Sequence, residues 1–176
     1  MSNPLPLREQ AIQLLHNTGC SENVIRHCEA VSKLAKETAK ICRKKGLEVN
    51  LELVEIGALL HDIGRSRTHS VHHAVDGGEI AKNAGLPDSV VAIIERHVGG
   101  GITAVEAAEL GWPRGTYVPF TLEEKIVSYA DKLVGTSNRV PIKKTLDKLR
   151  EEKLDTAAEN VQKLHDEISK LIGEDL

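Results

Sequence analysis

Apolar residues recur at helical spacing along almost the whole chain, and no stretch of useful length alternates apolar and polar residues as a strand does. The clearest stripe follows Ser21 and consists of Val24, Cys28, Val31, Leu34, Ala35, Thr38, Ile41 and Cys42. Aromatic residues make up only 2% of the chain, so the core must be built mainly from Leu, Ile, Val and Ala. Such a core favours helix packing over a sheet. The pattern predicts an all-α fold with essentially no sheet.

Capping residues, glycines and prolines mark where the expected helices begin and end. The first three expected helices run from Leu5 to His16, from Ser21 to Gly46 and from Asn50 to Gly64. A fourth ends near Gly85, a fifth runs from Pro87-Asp88 through His97, and a short one runs from the capping box Thr103-x-x-Glu106 to Gly111. The last three run from the capping box Thr121-x-x-Glu124 to Gly135, begin at Pro141, and extend through Ala158 to Ile172. Polar residues 65–70 and the segment from Trp112 to Phe120 are expected to be loops.

Charge and composition exclude several classes of protein. The formal net charge of -3 gives no sign of a dedicated nucleic-acid or membrane binder. The longest apolar runs have four or five residues, and the amino-terminal segment has no signal-peptide pattern. The three cysteines, Cys20, Cys28 and Cys42, match no C-x-x-C motif. Buried reduced thiols and a cytoplasmic location are the expectation.

Four polar residues fall on the apolar sides of separate expected helices: His27, the adjacent pair His61-Asp62, and Asp131. A charged or imidazole side chain on a core-facing stripe costs free energy unless it is paired or binds a metal. Adjacent helical residues project about 100° apart, so His61 and Asp62 could share one metal, or Asp62 could bridge two. A single inward histidine is more often a core residue, but two imidazoles and two carboxylates suit a divalent transition metal.

The order His27, His61-Asp62, Asp131 resembles that of the HD-domain metal-dependent phosphohydrolases. The similar local contexts are Arg26-His27-Cys28-Glu29-Ala30-Val31, Ala58-Leu59-Leu60-His61-Asp62-Ile63-Gly64 and Tyr129-Ala130-Asp131-Lys132. The resemblance extends from about Val24 to Val134. It is strongest to small archaeal HD proteins described only as predicted hydrolases. It implies a helical bundle of the HD type.

The resemblance also implies a dinuclear centre, because His73 and His97 stand where dinuclear HD proteins carry histidines. On this interpretation His27, His61, Asp62 and Asp131 hold one divalent ion, and Asp62 bridges to a second that His73 and His97 complete. The metals could be Fe, Mn, Zn, Ni, Co or Mg. The alternatives to His73 are the nearby His69 and His72, and the alternative for His97 is a helix cap.

The implied reaction is hydrolysis of a phosphoester bond in a nucleotide or a related small phosphorylated molecule, through a metal-activated hydroxide. Asp62, Arg65 and Lys132 are the candidate catalytic residues; Arg65 and Lys132 would bind phosphate oxygens or simply lie in solvent. Dinuclear HD proteins often carry two adjacent histidines where this chain has His97-Val98. The HD-GYP phosphodiesterases, a group of such proteins, carry a lysine where this chain has Arg65, and their GYP signature is absent here. These differences disfavour a cyclic dinucleotide.

Two further features leave alternatives open. The segment from Trp112 to Phe120 could stack a base or act as a structural plug, and the plug is slightly favoured. The basic residues Arg139, Lys143, Lys144 and Lys148 could attract phosphate, although a solvated helix face is the more ordinary interpretation.

The absence of repeats and linkers predicts a single domain over residues 1–176, with a metal-binding core at about 20–135 and C-terminal helices at 141–172 packing on it. A non-catalytic nucleotide- or metal-binding regulatory module is the alternative function. A homodimer is compatible with the sequence.

Overall fold

The computed structural model describes residues 3–173. Its α-helices are α1 (Arg8–Thr18), α2 (Glu22–Lys44), α3 (Leu51–Leu60), α4 (His73–Asn83), α5 (Asp88–Arg96), α6 (Ala104–Glu109), α7 (Leu122–Lys132), α8 (Ile142–Glu151) and α9 (Asp155–Ile172). Two short 3-10 helices lie at Ile63–Ser66 and Val98–Gly100. Extended pairing in these residues is limited to two isolated bridges, Ile102 with Tyr117 and Val134 with Arg139. The all-α prediction is confirmed.

Local chemistry explains most helix ends. Ser21 caps α2 by accepting a hydrogen bond from the Val24 N–H, and Asn50 caps α3 by accepting from two backbone N–H groups. Helix α1 begins at Arg8 instead of Leu5. Pro6 explains this difference, because a proline disfavours the helical conformation of the residue before it.

Helix α3 ends at Leu60, four residues before the predicted end at Gly64. His61 and Asp62 lie in the turn that follows, and Arg65, expected in a loop, belongs to the 3-10 helix Ile63–Ser66. A Cβ atom on Gly64 would lie 1.8 Å from the backbone oxygen of His73. The tight turn therefore brings the chain directly against the start of α4.

The second predicted capping box is only half formed. Thr121 accepts a hydrogen bond from the Glu124 N–H, as expected. The Glu124 carboxylate does not return to Thr121; it accepts from the Phe120 N–H and pairs with Arg96. The box at Thr103 and Glu106 is complete.

Helices α2 and α3 pack against each other at the centre of the molecule. One side of this pair carries an apolar core with α7 and α9, and the other side carries a core with α1, α4 and α5. Trp112 and Tyr117 pack together in a small separate cluster with Ala74 and Ala107, as the plug interpretation requires. The turn after α3 lies within these two apolar cores, so the polar side chains of His61 and Asp62 are buried.

Helix α9 packs on α7 and α2, and α8 packs on α9. Within residues 3–173, no helix is both long enough and apolar enough to cross a bilayer.

Candidate metal centre

Five segments of the fold bring all six predicted metal ligands into one cluster. His27 lies on α2, His61 and Asp62 follow α3, and His73 is the first residue of α4. His97 follows α5, and Asp131 lies near the end of α7. The side chains of His27 and Asp131 are each 15% exposed, and those of the other four are buried.

One half of the cluster is formed by His27, His61 and Asp131. The Oδ1 atom of Asp131 lies 3.0 Å from His27 Nε2 and 3.4 Å from His61 Nε2. The three ligand atoms lie within 4.8 Å of one another, a spacing that could hold a metal ion.

The other half is formed by Asp62, His73 and His97. Asp62 Oδ1 lies 3.0 Å from His73 Nε2 and 3.4 Å from His97 Nε2, and the two Nε2 atoms are 3.0 Å apart. The second oxygen of Asp62, Oδ2, faces the first half, at 3.7 Å from His61 Nε2 and 3.9 Å from His27 Nε2. Asp62 therefore presents one oxygen to each half.

All four histidines direct the same ring nitrogen towards the centre. Each Nδ1 atom lies 2.6–2.7 Å from a backbone carbonyl oxygen: His27 with Gly135, His61 with Ala58, His73 with Ser70 and His97 with Ile94. A carbonyl only accepts hydrogen bonds, so each Nδ1 must carry the proton. In the neutral rings every Nε2 lone pair then faces the cluster, as in histidines that bind metals.

Several ring nitrogens at the centre of this arrangement lack a suitable partner. His61 Nε2 is buried and has no hydrogen-bond partner among the described residues. The Nε2 atoms of His73 and His97 face each other at 3.0 Å, although both are acceptors in the neutral rings. Imidazole nitrogens and carboxylate oxygens are ligands of divalent transition metals, so the residues present fit such ions.

The electrostatics of the cluster keep its carboxylates ionised. Burial raises the pKa of Asp62, but the surrounding imidazole rings of His61, His73 and His97 hold it well below the usual range. Burial likewise raises the pKa of Asp131, and the adjacent Lys132 charge contributes most to holding it well below the usual range.

Two histidines have shifted pKa values in opposite directions. Burial lowers the pKa of His97 to about 4, helped by the charges of His61 and His73. Burial also lowers the pKa of His27, but the hydrogen bond and charge of Asp131 outweigh it and raise the value to about 8. At neutral pH the ring of His97 is therefore uncharged and available as a ligand.

The two predicted phosphate-binding residues, Lys132 and Arg65, lie beside the cluster. Lys132 Nζ pairs with the Asp131 carboxylate and donates to the His97 carbonyl at 3.4 Å. Arg65 Nε lies 3.4 Å from Asp62 Oδ1, and the same guanidinium donates to the His69 carbonyl. Each cation thus contacts one of the two carboxylates.

A cleft of about 870 Å³ opens beside the cluster, and His73, Asp131, Lys132 and Arg65 line it. Its volume is in the range of sites that bind small molecules. The apolar part of its wall comes from Val71, Val98, Ile102, Leu110, Val134, Val140, Leu149, Leu154 and Ala157. Neither Trp112 nor Phe120 is among the lining residues, so the predicted loop supplies no ring to stack a base here.

The remaining histidines lie outside the cluster. His69 is exposed, and His72 lies against the ring of Trp112. His165 contacts the Tyr129 hydroxyl, and His16 lies 3.7 Å from Glu22. Of His69, His72 and His73, the structure places only His73 at the centre.

Sequence reasoning missed the side chains that hold the end of α5 in place. Arg96 forms two 3.0 Å contacts with the buried Glu124 carboxylate, and Ser128 Oγ donates to the His97 carbonyl. Glu124 and Ser128 are one turn apart on α7, a spacing that could have pointed to a shared contact. The acidic residue was instead assigned to a capping box.

Comparisons with known proteins agree with the family resemblance of the sequence. The HD domain family matches residues 24–135. An uncharacterized protein of Methanocaldococcus jannaschii is 47% identical over 93% of this chain and 98% of its own. The tRNA (cytidine(56)-2'-O)-methyltransferase of Picrophilus torridus is 41% identical over 98% of this chain, which spans only 49% of that enzyme. The HD domain of Listeria monocytogenes phosphodiesterase PgpH, solved with cyclic-di-AMP, shares the fold with a TM-score of 0.53 and 18% identity, over 93% of this chain and 94% of that one.

Proposed function

This chain belongs to the HD-domain family, and from that premise we propose that it is a metal-dependent phosphohydrolase acting on a phosphoester bond of a nucleotide or related phosphorylated molecule. One observation carries the proposal: four buried or half-buried histidines donate Nδ1–H to the backbone and turn Nε2 towards two ionised carboxylates. Such a cluster is costly without cations, because lone pairs and like charges face one another.

Two divalent ions are proposed to occupy the cluster. His27, His61 and Asp131, with Oδ2 of Asp62, would hold one ion, and Asp62 Oδ1, His73 and His97 would hold the other. Such ions lower the pKa of water and act as Lewis acids on phosphoryl oxygens. The lining of the cleft by His73 and Asp131 would let a phosphate reach both sites.

The neighbouring cations have distinct proposed roles. Lys132 would fix the orientation of Asp131 through their ion pair and hold the His97 backbone in place. Arg65 lines the cleft with its side chain 28% exposed, so it could bind a phosphate oxygen. Asp62 would position both ions, because its two oxygens face opposite halves of the cluster.

A phosphodiester of RNA is a second candidate substrate. The methyltransferase of Picrophilus torridus, named for its action on tRNA, carries a segment similar to 98% of this chain. RNA is therefore included among the proposed substrates, although the sequence has no excess of basic residues. A non-catalytic regulatory module is disfavoured, because all six ligand positions are filled and two of them, His73 and Asp131, line an open cleft.

Metal counting combined with a hydrolysis panel tests the proposal. Wild-type protein loaded with Mn, Fe, Co, Ni, Zn or Mg should contain about two ions and should hydrolyse at least one of a nucleoside monophosphate, a dinucleotide and a short RNA. The His73→Ala, His97→Ala double variant should keep about one ion and lose most turnover, because it removes the ligands of one half only.

His72→Ala is the matched control, since His72 lies outside the cluster in the same loop. It should keep both ions and the wild-type rate. Absence of hydrolysis by fully metal-loaded wild-type protein across the panel would count against the catalytic proposal. Loss of turnover in the His72 variant with an unaffected His73→Ala variant would overturn the ligand assignment in this loop.

A further inference from the structure

The cleft beside the metal centre is also lined by three lysines that the metal chemistry does not use. Lys144 and Lys148 lie on α8, and Lys153 lies in the turn between α8 and α9. Lys148 is 3.9 Å from Glu152, a pair whose side chains are 73% and 50% exposed. Lys144 and Lys153 have no ion-pair partner within residues 3–173. Two of the three ammonium groups lining the cleft thus have no ion pair among these residues, and the pair made by Lys148 is exposed to solvent.

Lys153 has an unusual backbone conformation. Its φ of 60° is the one positive value at a non-glycine position among the described residues. Its N–H bonds to the Arg150 carbonyl and the next N–H bonds to the Leu149 carbonyl, the pattern that normally ends a helix at glycine. Helices α1 and α9 do end at glycines, Gly19 and Gly173. A lysine here costs backbone stability that a glycine would not.

The cleft is also lined by five carboxylates, of which three are engaged, whereas Glu109 and Asp155 have no ion pair within residues 3–173. Glu106 accepts from Thr103 in its capping box, Glu152 pairs with Lys148, and Asp131 belongs to the metal centre. Leu149 and Leu154 lie next to the lysines and provide apolar surface. This combination of ammonium groups and apolar surface suits a nucleoside phosphate.

We propose that Lys144, Lys148 and Lys153 form a second anion subsite, which holds a substrate phosphate other than the one at the metal centre. This rests on the proposed function and narrows its substrate class. The preferred substrate carries at least two phosphates, as in a dinucleotide or the phosphorylated end of an oligonucleotide. A nucleoside monophosphate would fill only the metal-centred end of the cleft.

The test compares probes of one and two phosphates on the metal-loaded full chain. The probes are thio-substituted AMP and the thio-substituted dinucleotide pApA, which resist hydrolysis, with affinities measured by titration calorimetry. Wild-type protein should bind the dinucleotide more tightly. In Lys153→Gly the ratio of dinucleotide to AMP affinity should fall about tenfold, because a charge-assisted contact to phosphate is lost. The melting temperature of this variant should rise by about 2 °C, since the left-handed conformation is relieved.

Lys143→Ala is the matched control, because Lys143 lies on the same helix, is 81% exposed and is not among the lining residues. It removes the same charge and should keep the wild-type affinity ratio. Equal ratios in Lys153→Gly and Lys143→Ala, or a lower melting temperature in Lys153→Gly, would overturn the subsite. Because the readout is binding, the test of the subsite applies even if no substrate is hydrolysed. Hydrolysis of a substrate together with an unchanged affinity ratio in Lys153→Gly would overturn the subsite and leave the proposed function standing.

A third probe separates the two sources of the second phosphate. A thio-substituted hexa-adenylate with a 5′-phosphate should bind at least as tightly as the dinucleotide if the cleft accepts an oligonucleotide end. Weaker binding of the longer probe, with the Lys153 effect kept for the dinucleotide, would assign the subsite to free dinucleotides.

Discussion

Each histidine of the cluster donates one ring N–H to a backbone carbonyl and directs its other ring nitrogen towards the centre. Three of the four accepting carbonyls lie three residues before their histidine, at Ala58, Ser70 and Ile94. The sequence could place the rings on inward faces but could not predict these bonds, because they depend on where each helix ends. The fourth bond, from His27 to Gly135, joins distant parts of the chain.

The buried pair of Arg96 and Glu124 gives a prediction about stability. Arg96→Met would leave a carboxylate that is 5% exposed and has, among the described residues, only the Phe120 N–H as a partner. We expect a loss of roughly 2 kcal/mol in the free energy of unfolding, below the range for fully buried pairs because Arg96 is itself partly exposed. Urea unfolding would measure the change.

An exposed pair provides the comparison for this change. Lys143→Met breaks the surface pair with Asp147 and should cost less than about 0.5 kcal/mol. Glu124→Gln should fall between the two, because it removes the charge and keeps a hydrogen-bond acceptor. Equal losses for Arg96→Met and Lys143→Met would show that burial of Glu124 has no energetic weight.

The three cysteines give a prediction about reactivity. Burial raises the pKa of the Cys20, Cys28 and Cys42 thiols, and most strongly that of Cys28. Because the thiolate is the reactive form, all three should react slowly with a disulfide reagent at pH 8 in the folded protein. Unfolding in denaturant should release three rapidly reacting thiols. Equal rates before and after unfolding would contradict the burial of these side chains.

At the scale of elements, the helical pattern predicted which segments are helices better than where they end. Ser21, Asn50 and Thr103 act as the caps that their chemistry indicated. The predicted end of α3 was wrong, because the close approach of Gly64 to α4 sets where the helix stops. A single stretch of sequence does not reveal such a contact between segments. The capping role predicted for Glu124 formed only in part for the same reason, since its carboxylate pairs with Arg96 from another helix.

Gly64 provides a test of that close approach. In Gly64→Ala the new Cβ would meet backbone atoms of His73 and Gly77, which cannot rotate away as a side chain would. We expect a destabilisation of about 3 kcal/mol and weaker retention of the metal that His73 would hold. Thermal melting and metal analysis would measure both effects.

Gly115→Ala is the control for the added methyl group. Its nearest neighbour would be a Tyr117 ring atom at 3.7 Å, an ordinary contact distance. This variant should melt within about 1 °C of the wild type, because surface substitutions usually change stability by less than about 0.5 kcal/mol. Similar melting of the two variants would mean that the turn after α3 can move away from α4.

At the scale of the whole molecule, the proposed ions would join five segments of the fold. A ligand that binds only the native state stabilises it by about 2.7 kcal/mol at a hundredfold excess over its dissociation constant. Removing metal with a chelator should therefore lower the melting temperature by roughly 5 °C or more. Calorimetry on protein of known metal content, with and without chelator, provides the measurement. The variant Asp62→Ala, Asp131→Ala should show no further effect of the chelator, and a large remaining effect would place the metal elsewhere.

The wide separation of the cluster residues along the chain also has a consequence for biosynthesis. His27 leaves the ribosome more than a hundred residues before Asp131 and the Gly135 carbonyl that holds its ring. Until then His27 has neither of its bonding partners, and the half of the centre that Asp131 completes does not exist. Capture of the ion proposed for this half would therefore follow the docking of α7, whereas the ligands of the other half, Asp62, His73 and His97, are all made before α7.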